Sequence, residues 1–201
     1  MAARKVKFAN GNASDRYSLE SKYKNTRYNL LLVIVFTVIN IVLPAVGSDT
    51  YFLFSACIPY TIVVFGMAMC GKYPLEYYGG GDMSDYNFLD PSYFAGFVAL
   101  AVILTALYIL PLVFSNKNRY GWLIFALVLF VIDTLFMIGY VGFAADMLLD
   151  YLFHVWVIGI LIVGISTGKK LKKLPPEEEE IEGIELPDEA EPVTVSADPE
   201  E

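Results

Sequence analysis

A chain of 201 residues that is 56% hydrophobic and 18% charged, with a mean hydropathy of +0.53, carries more apolar surface than a water-soluble domain of this size can bury. Two cysteines exclude a disulfide scaffold, and the apolar excess excludes a chain disordered throughout. The net charge of −8 conceals three zones: residues 1–28 hold seven Lys/Arg and two acids, residues 29–166 three bases and eight acids, and residues 167–201 four lysines followed by twelve acids.

Residues 1–28 read as a basic N-terminal tail in which Asn12 or Ser14 is placed to cap a short helix over Asp15–Arg27. Lys22, Lys24 and Arg27 would then meet anionic lipid head groups, where each cation gains about 1 kcal/mol. Five apolar runs follow, at Asn29–Val46, Tyr51–Gly71, Tyr93–Phe114, Gly121–Val141 and Met147–Ser166. Each fits the roughly 17–25 residues a helix needs to cross a bilayer, and none alternates as a barrel strand does. The expected fold is therefore all-α, a polytopic transmembrane bundle of about five spans occupying residues 29–166. The first run is too long for the ~7–15-residue core of a cleaved signal peptide. Tyrosines and Trp122 fall near the ends of the runs, the depth amphipathic rings prefer.

After the last run, Lys169–Lys173 reads as a basic stop, and from Leu174 the composition turns to Glu, Pro and small residues. A segment of that kind is expected to be disordered. It reads as a solubilising tail, or alternatively as a docking strand for a basic protein partner.

Charge placement conflicts with five crossings. Strict alternation puts eight Lys/Arg on one side and six on the other, against the usual concentration of basic residues in the cytoplasm. If one of the first two runs fails to cross, thirteen gather on the side of both tails and Lys72 stands alone opposite. Pro59, which lacks a backbone donor, marks where the second run would break. Five spans remain the expectation, because both runs are long enough and the polar turn at residues 47–50 joins them; the C-terminus is expected to be cytoplasmic.

Polar side chains inside spans are costly and mark candidate sites. Asp133 is the sole charge in its run and His154 is the sole histidine of the chain. Counted from their shared turn, the two sit at depths of about 12 and 10 Å at 1.5 Å per residue, so they form a candidate intramembrane pair. Asp146 and Asp150 extend it as a supporting stripe at i, i+4 spacing. The pair reads as a clamp between two helices or, alternatively, as part of a proton path. Asn40 and Thr37 are expected to form helix-packing hydrogen bonds. Gly164 and Gly168 fit a small-xxx-small dimer pattern. The loop at residues 72–92, with acids around three glycines, reads as floppy and solvated. No phosphate-binding loop, zinc spacing or nucleophile elbow is present, so no metal, cofactor or nucleic-acid partner is expected, and the chain is not expected to be an enzyme.

Ser18-Leu-Glu-Ser-Lys-Tyr-Lys24, Tyr51-Phe-Leu-Phe-Ser-Ala56 with Ile58-Pro-Tyr60, Gly121-Trp-Leu-Ile-Phe-Ala126 with Val131-Ile-Asp-Thr134, Leu152-Phe-His-Val-Trp156 and Lys170-Leu-Lys-Lys-Leu-Pro175 resemble segments of small uncharacterised multi-pass bacterial membrane proteins. The resemblance spans most of residues 15–180. It implies a bacterial cell membrane, and it carries over no activity and no functional residue. The expected function is that of an accessory or scaffold protein, in contact with the lipid bilayer and with a protein partner or a second copy. The alternative is a small proton- or ion-coupled transporter or channel subunit using Asp133 and His154.

Overall fold

The computed structural model describes residues 2–174 other than 49, 81, 83 and 85, with side chains from residue 15 onward other than 146. The expected disordered tail from Leu174 falls, after that residue, outside the described residues. The described residues form five α-helices: α1 (Ala2–Ala45), α2 (Cys57–Met69), α3 (Tyr93–Phe114), α4 (Gly121–Val141) and α5 (Leu148–Leu171). No strand occurs among the described residues. Four helical segments, Asp15–Ala45 and the whole of α3, α4 and α5, are long and apolar enough to cross a membrane.

The expected cap near Asn12 or Ser14 is absent, since both positions lie inside α1, which is continuous to Ala45. Gly47 ends α1 in a left-handed conformation, with Ser48 N–H donating to the Leu43 carbonyl and Gly47 N–H to that of Pro44. This pairing satisfies the last carbonyls of the helix.

Over the second apolar run, expected to be a fifth span, the helix is short: the described residues hold four helices long and apolar enough to cross a membrane and this one shorter apolar helix. Residues 51–56 are non-helical, and α2 has 13 residues. At 1.5 Å per residue it measures about 20 Å, short of the ~30 Å hydrocarbon layer. Pro59 sits in the first turn of α2, where a missing N–H costs nothing, rather than in the middle of a longer helix.

Contacts fix the direction of every helix. Tyr23 donates to the Ser115 carbonyl, Arg27 donates to Leu112 O and Ser115 Oγ, and Gly168 lies against Tyr23 and Tyr120. The start of the apolar part of α1, the end of α3, the start of α4 and the end of α5 therefore share one end of the bundle, here the proximal end. From the opposite, distal end of α1 the chain turns back inward, so that Ala56 lies level with Thr37. Then α2 climbs outward again: Val63 packs with Ile41 and Ala101, and Met69 accepts from Leu89 N–H just before α3. Residues 46–69 thus enter and leave by the same end.

The packing is inverted relative to a soluble protein. Thr37, Asn40, Ser55, Asp133, Asp150 and His154 are buried, whereas Ile103 (60% exposed) and Leu135 (63%) face outward with many other aliphatic residues. An apolar exterior of this kind is what a bilayer solvates. The described residues of the loop at 72–92, at the distal end, carry packing contacts of their own. The Tyr78 ring packs on Phe88 and Tyr86, its hydroxyl donates to Ala68 O, and Lys72 lies over the Phe94 ring.

Candidate functional site

A helix that begins inside a bundle leaves four N–H groups with no partner in the helix itself, and burying them unpaired is costly. Ala56, at the cap position of α2, has no side-chain acceptor to offer. Its own N–H donates to Thr37 Oγ1 at 2.8 Å, supplied by α1. Cys57 N–H and Ile58 N–H donate to Oδ2 and Oδ1 of Asp133, each at 2.8 Å, supplied by α4. Pro59 has no N–H. The account closes with all four positions satisfied, and the carboxylate sits where the positive end of the α2 dipole favours a negative charge.

The preceding extended segment is held from α1. Asn40 Oδ1 accepts from Phe52 N–H at 2.9 Å while its Nδ2 donates to Phe52 O at 2.7 Å, so the side-chain amide pairs with both backbone groups as a neighbouring strand would. The same Nδ2 lies 2.7 Å from Ser55 Oγ, and Ser55 Oγ donates to the Tyr51 hydroxyl at 3.2 Å. Phe54 takes a left-handed φ of 68°, which costs a non-glycine residue about 1–2 kcal/mol. Its ring is fixed between Phe153, Trp156 and Phe36, which opposes relaxation.

His154 completes the site from α5. Its Nδ1 lies 2.9 Å from the Asp150 carbonyl, which can only accept, so Nδ1 carries a proton. Nε2 faces Asp133 Oδ2 at 3.3 Å, and that hydrogen bond closes with one proton shared between them. The imidazole stacks on Phe130, one turn before Asp133, with centroids 4.9 Å apart. Asp133 is 0% exposed and His154 2%.

The structure therefore brings the two members of the candidate pair into contact. Asp150 lies one turn distal on α5, buried and in the neighbourhood of Tyr51. Asp146 lies in a separate 3-10 turn at Ala145–Met147, before α5 starts at Leu148, and its side chain lies outside the described residues. Thr37 and Asn40 do bond: Thr37 Oγ1 donates to Val33 O within α1 and accepts from Ala56 N–H, and Asn40 pairs with the Phe52 backbone and Ser55 Oγ. The residues that sequence reasoning missed are Tyr51, Ser55 and the N–H groups of Cys57 and Ile58. Pro59 was the available signal, since proline is favoured in a first helical turn.

Replacing Thr37 by Val keeps the shape and strands the Ala56 N–H. It is expected to lower stability by about 1–3 kcal/mol, read as an earlier unfolding midpoint in detergent.

Among the described residues, no three of His, Cys, Asp and Glu come together as metal ligands. Comparison with protein families, with characterised proteins and with solved structures finds no match.

Proposed function

We propose that the chain is a multi-pass cell-membrane protein with an accessory or scaffold role and no catalysis, its termini on the cytoplasmic side and its acidic C-terminal segment offered to a basic partner. The observation that carries this reading is the use made of Asp133. Its carboxylate accepts two backbone N–H groups and faces one imidazole, all within a site closed to solvent, so its hydrogen-bonding capacity goes into fastening residues 52–58. A group so engaged is a fixed structural part rather than a place where substrate exchanges.

Charge supports the orientation. Thirteen of the fourteen Lys/Arg lie on segments at or leading out of the proximal end, and Lys72 alone lies at the distal end. Reporter enzymes fused to the two termini are expected to be active on the same side, and activity on opposite sides would overturn this topology.

A proton path is the second reading, favoured by the succession of Tyr51, Asp150, His154 and Asp133 from the distal end inward. Proteoliposomes with an internal pH dye separate the two readings. No protein-dependent flux under an imposed gradient is expected. A flux that Asp133→Asn abolishes would replace the scaffold reading with transport.

A further inference from the structure

Away from the Asp133 site, α1 and α5 leave a furrow of about 340 Å³ on the outer face of the bundle, lined by Lys22, Asn25, Thr26, Trp156, Gly159 and Val163. That volume lies within the range of small-molecule sites. Its chemistry is graded along its length. Lys22 and Asn25 form the proximal mouth, at the level of the Tyr23–Ser115 hydrogen bond, and both are exposed. From Val163 to Trp156 the wall is α5 and apolar apart from the indole, over seven residues or about 10 Å. Thr26 forms a rigid floor, its hydroxyl lying 3.2 Å from Lys22 O and 3.4 Å from Ile160 O.

Two further features make the furrow a place for an occupant. Gly159 opens it, because a Cβ added there meets nothing within 4 Å. The Lys22 ammonium forms no ion pair among the described residues.

We propose that this furrow binds one anionic phospholipid, its phosphate at Lys22 and Asn25 and one acyl chain lying over Gly159 as far as Trp156. The inference rests on the membrane reading above. A cation and an amide at head-group depth, continuous with an apolar channel that runs toward the bilayer centre, match a phosphate ester joined to a hydrocarbon chain. A soluble anion would leave the apolar wall uncovered, and a zwitterionic lipid would place a second cation beside Lys22.

Native mass spectrometry of the full chain in detergent tests this, with phosphatidylglycerol and phosphatidylcholine of equal chain length and with inorganic phosphate as probes. Wild type is expected to retain one phosphatidylglycerol about fivefold more tightly than phosphatidylcholine, the factor for one cation worth about 1 kcal/mol at 1.4 kcal/mol per tenfold. Lys22→Gln should erase that preference. Lys24→Gln should leave it, because Lys24 points elsewhere and lies over the Tyr28 ring at 5.8 Å. Gly159→Leu should weaken both lipids severalfold while the unfolding midpoint stays at the wild-type value. Equal binding of the two lipids, identical effects of the two lysine variants, wild-type occupancy in Gly159→Leu, or binding of phosphate alone would each overturn the proposal. Flotation with vesicles separates the failures: a chain that does not float sinks the membrane reading as well, whereas one that floats without lipid preference sinks only this site.

Discussion

Asp133→Asn is expected to unfasten the segment that turns back into the bundle, at a cost of at least the ~1–3 kcal/mol typical of stranding one buried donor. The substitution preserves volume, so cavity formation does not contribute. What changes is hydrogen-bond polarity. In one orientation the new NH2 faces the Cys57 N–H, and in the other it faces the Ile58 N–H, so one donor at the start of α2 loses its acceptor either way. An unfolding titration in detergent reads the global cost. The local effect has its own probe in Cys57, which is buried at the first position of α2. In a Cys70→Ser background, a maleimide reagent should leave Cys57 unlabelled with Asp133 in place and label it in the Asn variant. An unchanged midpoint together with unchanged labelling would show that Asp133 does not hold α2. His154→Phe in the same background should be less severe, since both N–H groups keep their acceptor. Its effect should not add to that of Asp133→Asn, because the two side chains share one hydrogen bond.

Why these residues were legible as a pair, while the segment they hold was not, follows from what each kind of signal measures. A charge inside an apolar run is conspicuous, and counting 1.5 Å per residue from a common turn places Asp133 and His154 at similar depth, where they do meet. The apolar runs of α3 and α4 are legible for a related reason: their backbone bonds close within the run, so apolar extent and helix extent coincide. Residues 51–71 are also apolar, but hydropathy does not report where a backbone group finds its partner. The partners of Phe52, Ala56, Cys57 and Ile58 are side chains between 12 and 76 residues away. Charge distribution pointed the same way as the short α2, since thirteen bases gather at one end if that run does not cross. Asn40 and Thr37 were visible as polar groups in a span, yet their use as partners for backbone groups depends on residues 51–56 staying out of a helix, which hydropathy does not mark.

The second large effect is expected at Gly164, where sequence pattern and structure assign the same small residue to different neighbours. Spacing marks Gly164 and Gly168 as a face for a second copy. In the fold that face is covered by the same chain, by α1 at Gly164 and by α1 and the start of α4 at Gly168: a Cβ on Gly164 would fall 2.4 Å from Thr26 Cγ2 and 2.9 Å from Thr26 Cβ, and one on Gly168 would fall 2.9 Å from Tyr23 Cε2 and 2.6 Å from Tyr120 Cβ. Such distances require the helices to part. Separation is resisted on both sides of the contact, by Tyr23 donating to Ser115 O at 2.7 Å and by Arg27 donating to Leu112 O at 3.0 Å. Gly164→Val should therefore cost at least the 1–3 kcal/mol typical of overpacking and lower the unfolding midpoint of the isolated chain. Gly159→Val, five residues earlier on the same helix and facing open space, is the control and should leave the midpoint unchanged. Thr26→Ala removes Cγ2 and should recover part of the Gly164→Val loss, a coupling that a contact between copies would not produce. If Gly164→Val instead changes the oligomeric state in size-exclusion chromatography and leaves the midpoint of the single chain intact, the close approach of α1 to α5 is not what this glycine serves.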